Sequence, residues 1–142
     1  MRDGEFQKIQ ESDERMYGPK GILVCGYAPP EHRFFAMFME KAGFSDRPVI
    51  FPTNQQAGRT LRELLGLTTG SGMGEPADFP RAVIMSGFTQ NEVHRIMYAY
   101  RQAGLPAQLW ATLTPVSEDW LLADLLNELV KENEVLKGKK LF

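Results

Sequence analysis

The reactive inventory of this 142-residue chain is short: one cysteine, two histidines, a glycine cluster and a few recurring carboxylates and threonines. Cys25 would need a base in reach to act as a nucleophile. His32 and His94 fall out of step with the chain's internal repeat, and neither has a metal-ligating partner at helical spacing. At the end of an apolar strand, a cysteine is normally a small buried hydrophobe, so Cys25 is expected to be structural with a raised pKa. Gly70-Ser71-Gly72-Met73-Gly74 has the composition of a phosphate loop but the wrong context. A phosphate loop runs from strand into helix, so that helix N–H groups face the phosphate, and it ends in Gly-Lys-Ser/Thr. Here a helix precedes the glycines and a strand follows. Glu31 and Glu92 are accounted for by the first turns of helices, and Thr53 and Thr114 by turns or caps. No catalytic, cofactor-binding or metal-binding residue is expected, and the chain reads as non-enzymatic.

The elements that must position these residues follow from hydrophobic pattern. Residues 1–20 are polar and lack a sustained period, and read as a flexible N-terminal tail. Ile22 to Cys25 forms a short apolar strand stopped by Gly26, and Pro29-Pro30 open a helix that stops at Gly43. A strand at Val49–Phe51 and a helix over about 55–65 follow. The Gly/Ser/Thr-rich stretch 66–80 reads as a mobile linker. Then the pattern restarts: a strand at Ala82–Met85, a capping box at Thr89–Glu92, a helix to Ala103, a strand at 109–113 and a long last helix from Glu118.

Sliding the chain by 61 residues superposes 22–65 on 83–126 without a gap, with eight identities that include Gly26/Gly87, Glu31/Glu92 and Gly43/Gly104. The expected architecture is therefore one α/β domain over 21–142, made of repeat one (22–65), the linker and repeat two (81–136). With right-handed crossovers throughout, it would be a three-layer α/β/α sandwich from a duplicated β-α-β-α unit, with a four-stranded parallel sheet in the order 2-1-3-4. Helices one and four would share one face, and two and three the other. A switch-point crevice would then lie between the first strands of the two units, lined by Gly26, Tyr27, Gly87, Phe88 and Thr89. A small-molecule or anion-binding domain using those loops is the alternative reading.

One surface is left over. In the third helix Val93, Ile96, Met97, Tyr100 and Ala103 form the core stripe, matched in the first helix by His32, Phe35, Ala36, Met39 and Ala42. Phe34, Met37 and Phe38 are additional, standing where the third helix has Arg95, Tyr98 and Ala99. They are expected to form a partner-binding face, for another protein or for a second copy in a homodimer.

Sixteen Lys and Arg against eighteen Asp and Glu give a net charge of −2, which provides no broad footprint for nucleic acid. The longest apolar run, Phe34 to Met39, cannot span a bilayer, so any membrane association is expected to be peripheral. The segments GPKGILVCGY and PRAVIMSGFTQNEVHRIMYAYRQAGLPAQLWATLTPVSEDWLLADLL resemble an uncharacterised domain family known from bacteria, one of the numbered domains of unknown function. The match is clearest over Ala82–Leu129. The first unit, with MYGPKGILVCGY, looks more like the plastid version of that family in algae and plants. That resemblance implies a non-catalytic assembly factor for photosystem I at the stromal face of the thylakoid, without a cofactor. It also implies a chloroplast address, the cytoplasm being expected otherwise.

Overall fold

The structure, a computed structural model, describes residues 14–141, with side chains described through residue 136. Each apolar run is a strand, but two expected helices are shorter than their pattern. Residues 55–65 are helical only over Leu61–Leu65, after a 3₁₀ turn at Asn54–Gln56. The last helix begins at Leu122 rather than Glu118, after a 3₁₀ turn at Ser117–Asp119. In chain order the strands and α-helices are β1 (Gly21–Cys25), α1 (Pro29–Lys41), β2 (Val49–Ile50), α2 (Leu61–Leu65), β3 (Ala82–Ser86), α3 (Gln90–Gln102), β4 (Leu109–Thr112) and α4 (Leu122–Leu141). Thr89 caps α3 with a full box: its Oγ1 accepts from the Glu92 N–H at 3.0 Å, while Glu92 accepts from the Thr89 N–H at 2.9 Å. Ala28, before α1, has no side-chain oxygen, so only the reciprocal half is made, from the Ala28 N–H to Glu31 at 2.8 Å.

The sheet order is β2-β1-β3-β4, as the repeat implies. Within each unit the strands pair in parallel, but β1 and β3 pair antiparallel, so the sheet is mixed. This corrects the all-parallel expectation. A crossover helix forces parallel pairing within a unit. Nothing forces it between units, because the connection from α2 to β3 is long enough to enter from either end of the sheet.

The registers define the relation between the repeats. Leu23 pairs with Ile84, its own equivalent 61 residues on. Ile22 pairs with Val49 as Val83 pairs with Trp110. Thr60 forms a bridge with Leu121, again its own equivalent. The local twofold axis therefore runs through the sheet, perpendicular to the strands. Such an axis keeps equivalent helices on the same face. Side chains of α1 and α3 (Phe35, Met39, Val93, Ile96, Tyr100) pack with Ile22, Val24, Val83 and Met85. Those of α2 and α4 (Leu61, Leu64, Leu122, Leu126) pack with Leu23, Cys25, Ala82 and Ile84. The expected grouping of helices one with four, and two with three, is thereby corrected.

Two segments read as loose carry defined bonds. The stretch 66–80 runs along the outer edge of β2: the Gly70 N–H donates to Val49 O, the Phe51 N–H to Ser71 O and the Gly74 N–H to His32 Nδ1. It covers a strand edge that would otherwise be open to pairing. At the start of the described chain, Met16 donates to Phe88 O, Tyr17 O accepts from the Gly87 N–H, and the Tyr17 hydroxyl donates to Glu118 at 2.7 Å. The rest of the expected tail, residues 1–13, lies outside the described residues.

Candidate functional site

The antiparallel centre separates the proposed switch-point loops. Gly26 follows the end of β1 that pairs with Ala82, and Gly87 follows the end of β3 that pairs with Gly21. The two turns thus lie at opposite ends of the sheet, and Gly26, Tyr27, Gly87, Phe88 and Thr89 line no common crevice. Each turn is closed by main chain instead. Both glycines have positive φ, and a Cβ on Gly26 would meet the Phe79 and Pro80 carbonyls, one on Gly87 those of Gly18 and Pro19. Tyr27 and Phe88 are buried in the α1/α3 core. Cys25 is fully buried, and burial pushes its thiol up to about 12, far from a thiolate at neutral pH. Among the described residues no group of three or more His, Cys, Asp or Glu side chains is placed to hold a metal ion. Nor is any described helix long and apolar enough to cross a membrane.

The leftover apolar residues of α1 do come together. Phe34 is 71% exposed and Met37 46%. Phe38 is half-buried, its ring 5.7 Å from Phe35 and 6.2 Å from Tyr100. With Ala103 and Leu105 from the end of α3, they line an open groove of about 420 Å³. Tyr27, Glu31 and Arg81 close one end and Lys41 stands toward the other. Arg81 is held in place by several partners. Its guanidinium lies 3.8 Å above the Tyr27 ring, donates to both Glu31 oxygens at 3.0 and 3.1 Å, and donates through Nε to the Tyr100 hydroxyl at 3.1 Å. The Tyr100 hydroxyl in turn donates a hydrogen bond to Pro106 O at 2.6 Å. The end wall is therefore charge-balanced and hydrogen-bonded, and the groove surface is hydrophobic. Its α4 neighbours lie on the far face of the sheet and do not cover it.

The twofold relation supplies a reference for this groove. At the equivalent corner Phe44 stands in the place of Leu105, Arg47 in that of Gln108, and Arg95 in that of Phe34. Phe44 is fully buried, 5.7 Å from Phe88. Arg47 lies 4.7 Å over Phe88 and donates to Glu92 at 2.9 Å. Arg95 lies 4.9 Å over Phe44 and donates to Ala42 O at 3.0 Å, which seals the end of α1. The equivalent corner has a groove too, of about 320 Å³, but Asn91, His94, Arg95 and Tyr98 line it where Phe34, Met37 and Phe38 line the other. The period of α1 pointed to Phe34, Met37 and Phe38; Leu105, Arg81 and Lys41 were not singled out.

Residues 81–136 match the profile of a family described as a domain of unknown function (DUF3783). The matched segment is the second repeat. It supports the likeness to an uncharacterised domain family and carries no activity with it. No curated protein and no solved structure matches the chain.

Proposed function

We propose that this protein is a non-catalytic interaction or assembly factor that docks a protein partner on the groove between α1 and α3. The observation that carries the reading is the exposure of Phe34 and Met37 in an apolar groove, where the symmetry-equivalent groove is lined by Arg95 and Tyr98. Contiguous exposed apolar surface of this kind marks contacts more often than it marks decoration. A role in photosystem I assembly at the stromal face of the thylakoid is the finer form of the proposal. Its support is the plastid look of the first repeat alone, since the family match covers only the second.

The test is Phe34→Ala together with Phe34→Arg, which installs the residue of the equivalent place, Arg95. Because Phe34 is exposed, the urea midpoint should move by no more than about 0.5 kcal/mol. Association with native partners, captured from the source organism and identified by mass spectrometry, should weaken at least tenfold, as truncating a hot spot typically costs about 2 kcal/mol or more. A collapsed midpoint with association retained per folded molecule would place Phe34 in the core and remove the reading.

A further inference from the structure

We infer that two copies of this chain pair edge to edge through β4, antiparallel about a twofold axis at Ala111, so that one sheet runs through both. The inference goes beyond the docking reading and rests on a different surface. β2 and β4 are the outer strands of the sheet, and the repeat makes Val49 and Phe51 the equivalents of Trp110 and Thr112. On the β2 side the outward main-chain groups find partners. The Val49 N–H donates to Thr69 Oγ1 at 2.9 Å, Val49 O accepts from the Gly70 N–H at 2.7 Å, and the Phe51 N–H donates to Ser71 O at 2.8 Å. On the β4 side the Leu109 and Leu113 N–H groups donate inward, to Arg81 O and Met85 O. The alternation of a parallel ladder then turns the N–H and C=O groups of Trp110 and Thr112 outward. Among the described residues those outward groups have no hydrogen-bond partner. The equivalents of residues 69–71, residues 130–132, are wound into α4 instead. Accordingly Val49 and Ile50 are buried, whereas all four residues of β4 are only half-buried.

The residue types say what fits this edge. Bare edges are normally blunted by charge, proline or a bulge, yet residues 107–114 contain neither a charged residue nor a proline. In a twofold contact each residue near the axis meets its own copy, so a charged edge would repel itself and this neutral one does not. With Ala111 on the axis, each Trp110 exchanges both of its outward bonds with Thr112 of the second copy. Ala111 then takes the narrow, non-hydrogen-bonded position, with Cα atoms roughly 4.5 Å apart, where a small side chain fits.

The test follows the full chain by sedimentation and by amide hydrogen exchange as its concentration rises. A dimer should form, and within it the Trp110 and Thr112 amides should exchange about tenfold or more slowly than in the monomer. Thr112→Pro removes an outward donor and no bond to β3, at a place where an edge strand accepts proline. Thr112→Lys places a charge on the same edge and decides the matter if the proline variant fails to fold. Each should weaken the dimer about tenfold or more, while Phe34→Ala, in the α1–α3 groove, should leave it intact. A monomer at every concentration, with both amides exchanging freely, overturns the proposal and leaves the edge to a strand of another protein. Protection of the two amides that does not depend on concentration also overturns it, because the edge is then covered from within the chain. So does a dimer that survives both Thr112 variants. If such a dimer is lost in Phe34→Ala, the groove is the self-contact and its docking role stands without the edge.

Discussion

At one end of the α1–α3 pair, Phe44, Arg47 and Arg95 underlie a groove of about 320 Å³ with a polar lining; at the other, Leu105, Gln108 and Phe34 hold the same three places and the groove, about 420 Å³, is apolar. The backbone scarcely distinguishes the two ends. Both helices have thirteen residues, and both are followed by a glycine of positive φ. Three side-chain differences convert a groove rimmed by arginine into one lined by exposed apolar residues. The arginine function is not lost in the process. Where Gln108 cannot pair with Glu31, Arg81 reaches it from the start of β3 and covers Tyr27, as Arg47 covers Phe88. The substitution does leave a trace: Gln108 accepts from Tyr27 through Oε1, but its buried Nε2 has no partner.

Truncating the buried ring of Phe44 tests this division most severely. Phe44→Ala should cost about 3–5 kcal/mol, the usual range for a fully buried phenylalanine. Leu105→Ala, at a half-buried position that already borders open space, should cost well under half as much. Urea midpoints of the two variants decide the matter. Equal losses would mean that the corners contribute alike and that the groove is an incidental feature of surface packing.

Exchanging the arginine is the next step down. Arg47→Gln installs the residue of the equivalent place, Gln108, and leaves the Glu92 carboxylate without its main partner, which should cost about 1–3 kcal/mol. Burial by itself would raise the Glu92 pKa, but the Arg47 guanidinium and the Thr89 N–H outweigh it and hold the carboxyl below its ordinary value. A carboxyl depressed on folding contributes stability that is present above its unfolded pKa and lost as pH falls through the folded one. Part of the acid-side loss of stability below about pH 4.3 should therefore disappear in Arg47→Gln. An unchanged acid limb would show that the pair is not what holds Glu92 ionised.

How much of this could be read from sequence depends on how local each determinant is. The units were legible because capping boxes, proline starts and glycine stops act within a turn or two: Thr89 and Glu92 define α3 almost by themselves. The direction of β3 against β1 was not. All five residues of each strand are buried, so no alternation betrays an orientation, and the 66–80 connection accommodates either. That connection read as mobile because its partners, Val49 and Phe51, are backbone groups on a distant strand edge that periodicity does not register. With the direction misjudged, the crevice at Gly26 and Gly87 went with it. Phe34, Met37 and Phe38 were legible because they violate the period of a single helix. Leu105 and Arg81 join them only through the meeting of α1 with the end of α3.

The smallest effect concerns a second asymmetry, at His32, whose equivalent is Val93. The His32 ring is buried, stacked 4.2 Å from Phe51, with Nδ1 accepting from the Gly74 N–H at 2.8 Å. Nε2, 3.2 Å from Tyr27 O, must then carry the proton, so the ring is neutral and both nitrogens are engaged. A second proton on Nδ1 would face a donor. Burial lowers the His32 pKa, with partial opposition from the Tyr27 carbonyl and Glu31. As pH falls below about 6.5 the unfolded chain takes up this proton first, so stability should decline until the folded-state pKa is passed, and this contribution then levels off. His32→Val gives this position its counterpart's residue. It should cost about 1 kcal/mol at pH 7.5 for the orphaned Gly74 N–H and flatten the decline in urea midpoint between pH 7.5 and 5.5. A variant that keeps the full decline would move the pH dependence elsewhere, and His32 would then be no more than the buried aromatic ring that Val93 shows the fold can do without.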